Sequence, residues 1–241
     1  MKRNNLLGIF DWVLIAGTFL AIVLSAFLVT GIGNAVRDFD WWLTSVAAML
    51  NICCCVCSAK GSRWTFLFGA LYNAMYTYYC IATAHYGNAA VYGLCFLPLQ
   101  LVGWLQWRKI GNAEDSSQVA AKRLSWKARG IIAALSLAVM AGLWFILDAV
   151  GGEDSEVDSM CTVVCIIAQL LLTFAYTEQW FLWIAVNVLT ILMWNMSAAD
   201  SLAAGESIGS DFNLVICYVF VLLNSINGLV VWMKLSKSRD M

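Results

Sequence analysis

The sequence predicts an all-α membrane protein, on three observations: a shortage of charge, a succession of helix-length apolar runs, and a one-sided distribution of basic residues. Of 241 residues, 62% are hydrophobic and only 12% are charged, where a soluble domain carries about a quarter charged residues. A water-facing surface cannot be built from so little charge. The 12 tryptophans suit the same solvent, since indole collects at membrane interfaces. Most of the nine cysteines lie inside apolar runs, where a thiol behaves as a small hydrophobe. No basic stretch approaches the charge that nucleic acid binding demands, so that partner class is excluded.

A hydrocarbon core about 30 Å thick takes roughly 20 apolar residues in helical form. Eight runs meet the requirement, over about 7–32, 41–59, 64–84, 88–107, 130–150, 160–177, 179–197 and 212–233. Backbone groups in lipid must be satisfied within each segment, and the alternation of a β-barrel strand is missing, so the runs are expected to be helices. With the amino terminus inside, only Arg37 of the 14 Lys and Arg falls outside, leaving 14 − 1 = 13 inside. Asp38, Asp40, Asp148, Glu153, Asp154, Glu156, Asp158, Asp200, Glu206 and Asp211 all fall outside. Basic residues in short loops carry the orientation, which puts both termini in the cytoplasm. Met1-Lys2-Arg3 resembles the start of a signal peptide, but the apolar run that follows is too long, and a retained helix is expected.

Helix four ends Gln100-Leu-Val-Gly103-Trp-Leu-Gln-Trp107-Arg-Lys109, and the last helix ends Ser225-Ile-Asn227-Gly228-Leu-Val-Val-Trp232-Met-Lys234. Gly, Trp and Lys recur at one spacing, offset by 228 − 103 = 125. A similar offset pairs Gly69-x-x-x-Asn73 with Trp183-x-x-x-Asn187, with a short gap to keep Trp64 opposite Trp180. Two triplets separated by a single connecting helix start from the same side of the membrane. They are therefore parallel repeats, the plan of SWEET-type transporters, with a substrate site between them at the midplane. The expected division is an extra helix at 1–35, a first repeat at 41–109, a connector at 126–150 and a second repeat at 160–235, a 3+1+3 architecture plus one.

Polar groups inside such spans must find partners or line a cavity. Asn73 and Tyr76 share a face of helix three, with Tyr72 and Tyr79 nearby. Phe96, Gln100 and Trp104 form an i, i+4, i+8 row on helix four. Gln169, Thr173 and Tyr176 lie on helix six, Trp180, Trp183, Asn187, Thr190 and Trp194 on helix seven, and Phe220, Asn224 and Asn227 on helix eight. Any one amide can be interhelical glue, worth roughly 0.6 kcal/mol on average. Together the amides and the aromatic rings near them describe a cavity with donors, acceptors and π faces. Asp11 and Glu178 are the acids nearest any span and both sit at helix ends, so neither a proton relay nor an ion-coupling site is visible. A delocalised cation can instead be held by ring faces, and a phosphate has no basic clamp. The Cys53, Cys54, Cys55 and Cys57 cluster lacks imidazoles, and the single histidine, His85, falls in an outside loop, so packing is expected there and no metal or other cofactor. A nucleophile–base pair is missing too, against an enzyme. A sugar transporter and a structural membrane protein remain alternatives.

Trp64 through Gly69, Tyr72, Asn73 and Tyr76, then Tyr86-Gly87, Gln100, Gly103, Trp104 and Trp107, resemble the PnuC family of vitamin transporters. Glu178-Gln-Trp180-Phe-Leu-Trp183-Ile-Ala-Val-Asn187, Asn224-Ser-Ile-Asn227-Gly228 and Trp232 agree, so the resemblance covers roughly 41–235. It implies a full-length SWEET-like fold in a bacterial inner membrane, surrounded by lipid, and import of nicotinamide riboside by facilitated diffusion. Trapping by a separate cytoplasmic riboside kinase follows, as does a homo-oligomer, with a trimer the expected form. Relatives that carry thiamine or riboflavin leave the vitamin open. On this resemblance Trp183 stacks on the base, while Asn73, Gln100, Asn187, Asn224 and Asn227 hydrogen-bond to it or to the ribose. Tyr76, Phe96 and Thr173 complete the expected site, and Trp180 and Tyr79 are assigned to a gate or the interface belt.

Overall fold

The computed structural model describes residues 7–27, 31, 33, 37, 39–82, 89–110, 119–149, 155–203 and 209–237. His85, Tyr86, Gly87 and the acids Asp38, Glu153, Asp154 and Glu206 lie outside the described residues. Among those described, eight α-helices follow one another: α1 (Ile9–Ser25), α2 (Phe39–Ala59), α3 (Trp64–Ala82), α4 (Leu97–Lys109), α5 (Trp126–Ala149), α6 (Ser155–Thr173), α7 (Gln179–Ala203) and α8 (Gly209–Lys237). Every expected run carries a helix. A π-helical turn, Val91–Phe96, leads directly into α4. Pro98 accounts for it. Without an N–H, the proline cannot close the ordinary bond to the carbonyl four residues back, and the turn before it widens.

Three stretches are long and apolar enough to cross a membrane unaided: Trp41–Ala59, Trp126–Ile146 and Val215–Ser236. Shorter apolar stretches run over Ile9–Leu24, Thr162–Thr173 and Gln179–Leu192. The remaining helices, α3 and α4, fall short because they carry the tyrosines, Asn73, Pro98, Gln100 and Gln106. Apolar side chains point outward as well, among them Phe19, Leu101, Leu135, Phe145 and Phe181. This is the surface of a membrane protein, since a soluble monomer does not display apolar area on this scale.

Contacts run α2–α3–α4–α6–α7–α8 and back from α8 to α2, a closed ring of six helices. α5 packs on α6 from outside, and none of its apolar stretch is buried. α1 lies across the α2–α8 seam and packs on both helices. A methyl group at Gly17 would collide with the Phe220 ring, so α1 and α8 approach closely. Asp11 accepts from the Gly8 amide at 2.6 Å and pairs with Lys60 at 2.6 Å, with the carboxylate buried. Glu178, the other acid near a span, pairs with Arg129 at 2.7 Å and accepts from the Leu124 amide.

The turns after α2 and α6 are hydrogen-bonded alike. Gly61 N donates to Ser58 O, Ser62 N to Cys57 O and Phe66 N to Arg63 O; Ala175 N donates to Leu172 O, Tyr176 N to Leu171 O and Trp180 N to Thr177 O. Each pair is related by one offset, 172 − 58 = 114. Gly61 and Ala175 both take a left-handed backbone, with φ of 66° and 62°. That region costs an alanine roughly 1–2 kcal/mol and a glycine almost nothing. Phe66, rather than Trp64, is the counterpart of Trp180, because 180 − 66 = 114 with no gap. Its ring sits against Gly103 as that of Trp180 sits against Gly228.

α4 also meets α6, and α8 meets α2. Trp107 Nε1 donates to Leu172 O at 3.2 Å, and Trp232 Nε1 donates to Ser58 O at 2.9 Å. Between these pairs a short extended segment is strapped to both turns. Val119 N donates to Gly61 O at 2.9 Å and Lys122 N to Ala175 O at 2.8 Å, while Thr177 N returns a bond to Lys122 O. Val119 and Ala121 are buried among Phe66, Trp107, Trp180 and Trp232, which closes the basic end of the ring with an aromatic core. Gly103→Ala and Gly228→Ala are each expected to cost about 1–3 kcal/mol by overpacking rigid rings, read as a lowered thermal midpoint in detergent. Variants that melt with the parent would show that the rings can yield.

Candidate functional site

Helix register sets the height of the polar groups. Asn73 stands nine residues above Trp64 and Asn187 eight above Gln179, roughly 12–13 Å at 1.5 Å per residue. Half of a 30 Å core is about the same height. At this level the ring helices turn amides inward from the lipid: Asn73, Gln100, Gln169, Asn187 and Asn224 are all buried, as is Ser225, while Thr173, also buried, ends α6 at the basic end. No Lys, Arg, Asp or Glu occupies the helices here.

Some of these groups hold the helices together. Asn187 Nδ2 donates to Ser225 Oγ at 3.0 Å, joining α7 to α8, and Ser225 passes the bond to Val221 O. Asn224 Nδ2 donates to Cys55 O at 2.9 Å, pinning α8 to α2. Thr173 Oγ1 is satisfied within its own helix by Gln169 O at 2.8 Å. Other atoms have no such partner. Asn73 Nδ2, Gln169 Nε2 and Asn224 Oδ1 are buried without a hydrogen bond among the described residues. An orphaned buried polar group costs about 1–3 kcal/mol; these three lie on α3, α6 and α8, while Gln179 and Trp180 carry further unpartnered atoms at the basic end.

Gln100 lies directly on the α3 backbone at Gly69. A methyl there would stand 2.6 Å from its Oε1 and 3.3 Å from Cys54 Sγ. Above this level the rings gather. Tyr76 packs between Tyr72 (5.7 Å, stacked), Tyr92 (4.5 Å, edge-on) and Tyr79 (6.3 Å), and Tyr92 meets Phe96 at 5.0 Å. Tyr72 and Tyr92 share a hydrogen bond, and Tyr218 of α8 approaches the same cluster. Below the amides, Trp183 is half-buried on the aromatic core. Trp180 is 2% exposed within that core, its ring edge-on to Trp232 at 6.0 Å. Tyr79 sits at the rim of the tyrosine cluster, and Asn227 is half-buried one turn below Asn224.

The structure thus brings Asn73, Tyr76, Phe96, Gln100, Asn187 and Asn224 to adjoining levels of one ring, but leaves Thr173 at the basic end of α6, bonded to its own helix. Tyr92, Tyr218 and Ser225 join them without having been expected. Tyr92 had a signal, since the row of Phe96, Gln100 and Trp104 extends back one turn to it. The cysteines at 53, 54, 55 and 57 are free thiols, and among the described residues no group of three ligating side chains converges.

A ring of membrane helices around a polar, uncharged level belongs to the class of small-solute transporters. The model of the family described as nicotinamide mononucleotide transporter matches residues 41–234, and the chain belongs to this family. The nicotinamide riboside transporter PnuC of Neisseria mucosa is 35% identical over 224 residues, spanning 91% of this chain and 82% of that protein. The nicotinamide riboside transporter PnuC of Haemophilus influenzae is 28% identical over 222 residues, 91% of each. A solved structure described as the crystal structure of the vitamin B3 transporter PnuC superposes with a TM-score of 0.74. It is 32% identical and is matched over 96% of this chain and 94% of that one.

Proposed function

We propose that this membrane protein imports nicotinamide riboside by facilitated diffusion across a bacterial inner membrane. The observation that carries the reading is the uncharged level of buried amides, with Asn73 Nδ2, Gln169 Nε2 and Asn224 Oδ1 unpartnered beside tyrosine and tryptophan rings. The riboside is a flat pyridinium with a carboxamide and ribose hydroxyls. Amides suit its polar groups, and ring faces suit its delocalised cation. The family description names the mononucleotide, whereas the curated relatives are named for the riboside. A phosphate buried without Lys or Arg would be strongly disfavoured, which favours the unphosphorylated compound. Asn187 and Asn224 serve partly as struts, through Ser225 and Cys55.

In this reading α2–α4 and α6–α8 are parallel repeats joined by α5, a 3+1+3 SWEET-like plan with α1 outside it. The common offset of 114 in the two turns and the reciprocal Trp107 and Trp232 bonds support it. Lys60, Arg63, Lys122, Arg123 and Arg129 gather at the end closed by the aromatic core, which supports a cytoplasmic assignment of that end and of both termini. With no acid or base at the amide level to couple an ion, a cytoplasmic riboside kinase supplies the drive by trapping. Calorimetric titration of the purified protein with nicotinamide riboside, its mononucleotide, thiamine and riboflavin tests the substrate. Binding of the riboside alone is expected; tight binding of thiamine or riboflavin instead would reassign it. Uptake into vesicles that stopped without an ion gradient would defeat the uniport.

A further inference from the structure

The cations at the basic end do not all stand in the same situation. Arg108 and Lys109 close α4, and Lys234 lies near the end of α8, where the helix dipole favours positive charge. Lys60 has Asp11 for a partner, and Arg63 lies over the Trp104 ring. The run Lys122-Arg123-Leu-Ser125-Trp126-Lys127-Ala-Arg129 is different. Ser125 Oγ accepts from Ala128 N, which fixes the start of α5 at Trp126, and no acid follows in the first turn. Lys127 and Arg129 therefore stand at the end of a helix that repels a cation. Glu178 takes Arg129, and among the described residues no second acid pairs with the run, which leaves 4 − 1 = 3 positive charges. Arg123 Nε donates to the neutral Ser236 Oγ at 2.9 Å, and Lys122 lies over the Tyr176 ring, so neither charge is cancelled.

The surroundings say what kind of anion would balance them. Trp126 is 83% exposed, with the Arg129 guanidinium over its ring at 4.5 Å. An indole so placed marks the boundary between lipid and water. From there the apolar stretch runs on to Ile146 with none of it buried. We infer that residues 122–129 form a docking surface for the headgroups of anionic phospholipids, with Trp126 at headgroup level and the cations around it. A polybasic segment beside a membrane helix draws such headgroups, each cation adding a gain of about 5-fold. A soluble phosphate would meet the same charge but gain nothing from Trp126 or the apolar helix beyond it. Lys122 also belongs to the strap, its N–H on Ala175 O and its carbonyl on Thr177 N, so lipid held here bears on the turn before α7.

The test mixes the full-length purified protein with phosphatidylglycerol and phosphatidylcholine of the same acyl chains, and native mass spectrometry reads which lipid is retained. The parent should retain phosphatidylglycerol over phosphatidylcholine by about 30-fold. Lys122→Gln with Lys127→Gln removes two cations whose side chains make no hydrogen bond or ion pair among the described residues, and the preference should fall below about 3-fold. Lys127→Gln alone, at an exposed side chain, decides the matter if the double variant does not fold, with a loss of about 5-fold. Lys109→Gln with Lys234→Gln removes the same charge from the same end and should leave the preference almost unchanged. Equal losses in the two double variants would mean attraction to net charge alone and overturn the docking surface, as would a parent with no preference. Inorganic phosphate that displaced the lipid would assign the run to a soluble anion, and overturn it too. None of these outcomes touches the riboside reading, whose own test contains no lipid arm.

Discussion

Trp183→Ala is expected to weaken nicotinamide riboside binding by about 2–3 kcal/mol, a roughly 30- to 150-fold rise in Kd. A flat base stacked on an aromatic ring is worth about 1–3 kcal/mol, and a desolvated cation over a ring contributes about 2; the two overlap, so they do not simply add. Trp183 also packs on the buried core of Phe66, Trp107, Trp180 and Trp232, so part of the loss could come from a loosened scaffold. Trp183→Phe separates the two. It keeps a π face and most of the packing, and should recover the larger part of the affinity. Calorimetry gives the Kd of both variants, and a thermal melt in detergent shows whether they are folded. An alanine variant that melts normally and binds like the parent would remove Trp183 from the site.

Lys60→Ala carries the largest expected effect on stability. Asp11 is 4% exposed and its carboxylate is held by the Lys60 ammonium at 2.6 Å and the Gly8 amide. Removing the cation strands a buried charge, which costs about 3–5 kcal/mol. The double variant Asp11→Asn, Lys60→Met retains shape without charge, and is expected to recover most of that loss, since a buried pair often gives little net gain over an apolar substitute. Tryptophan fluorescence during thermal unfolding reports the order parent, double variant, Lys60→Ala. Were Lys60→Ala as stable as the parent, the pair would not be what fastens α1 to α2.

The helices were legible in the sequence because lipid leaves so little choice: length and apolarity locate them, and each expected run carries one. The amides were legible for the same reason, since Asn73, Gln100 and Asn187 stand out where charge and polarity are otherwise missing. The likeness of the two turns was only partly legible. Gly103, Trp107, Gly228 and Trp232 give an offset of 125, but the turns obey 114, so the stretch from Trp180 to Gly228 holds 125 − 114 = 11 more residues than that from Phe66 to Gly103. At the turns it is Phe66, not Trp64, that stands where Trp180 does. Tyr92, in the π turn, was legible as the next member of the row of Phe96, Gln100 and Trp104, but was not picked out. Ser225 escaped because a lone hydroxyl in an apolar helix usually bonds its own backbone, as it also does here with Val221. The strap at Val119–Lys122 left no trace at all: its bonds are backbone bonds, and backbone pairing to a turn has no periodicity to read.

That strap has a mechanical meaning. Its two acceptors, Gly61 O and Ala175 O, are the same atom of two equivalent turns. A swing of α2–α4 against α6–α8 about the line through those atoms would keep both bonds, with the line as fulcrum and α3 and α7 as lever arms. At 1.5 Å per residue the arm from Trp64 to Ala82 is about 27 Å long. A swing of about 5° therefore moves its far end by roughly 2.4 Å and the Asn73 level by only about 1.2 Å. Displacement grows with distance from the basic end, so such a swing would part the tyrosine-lined end while moving the amides about half as far.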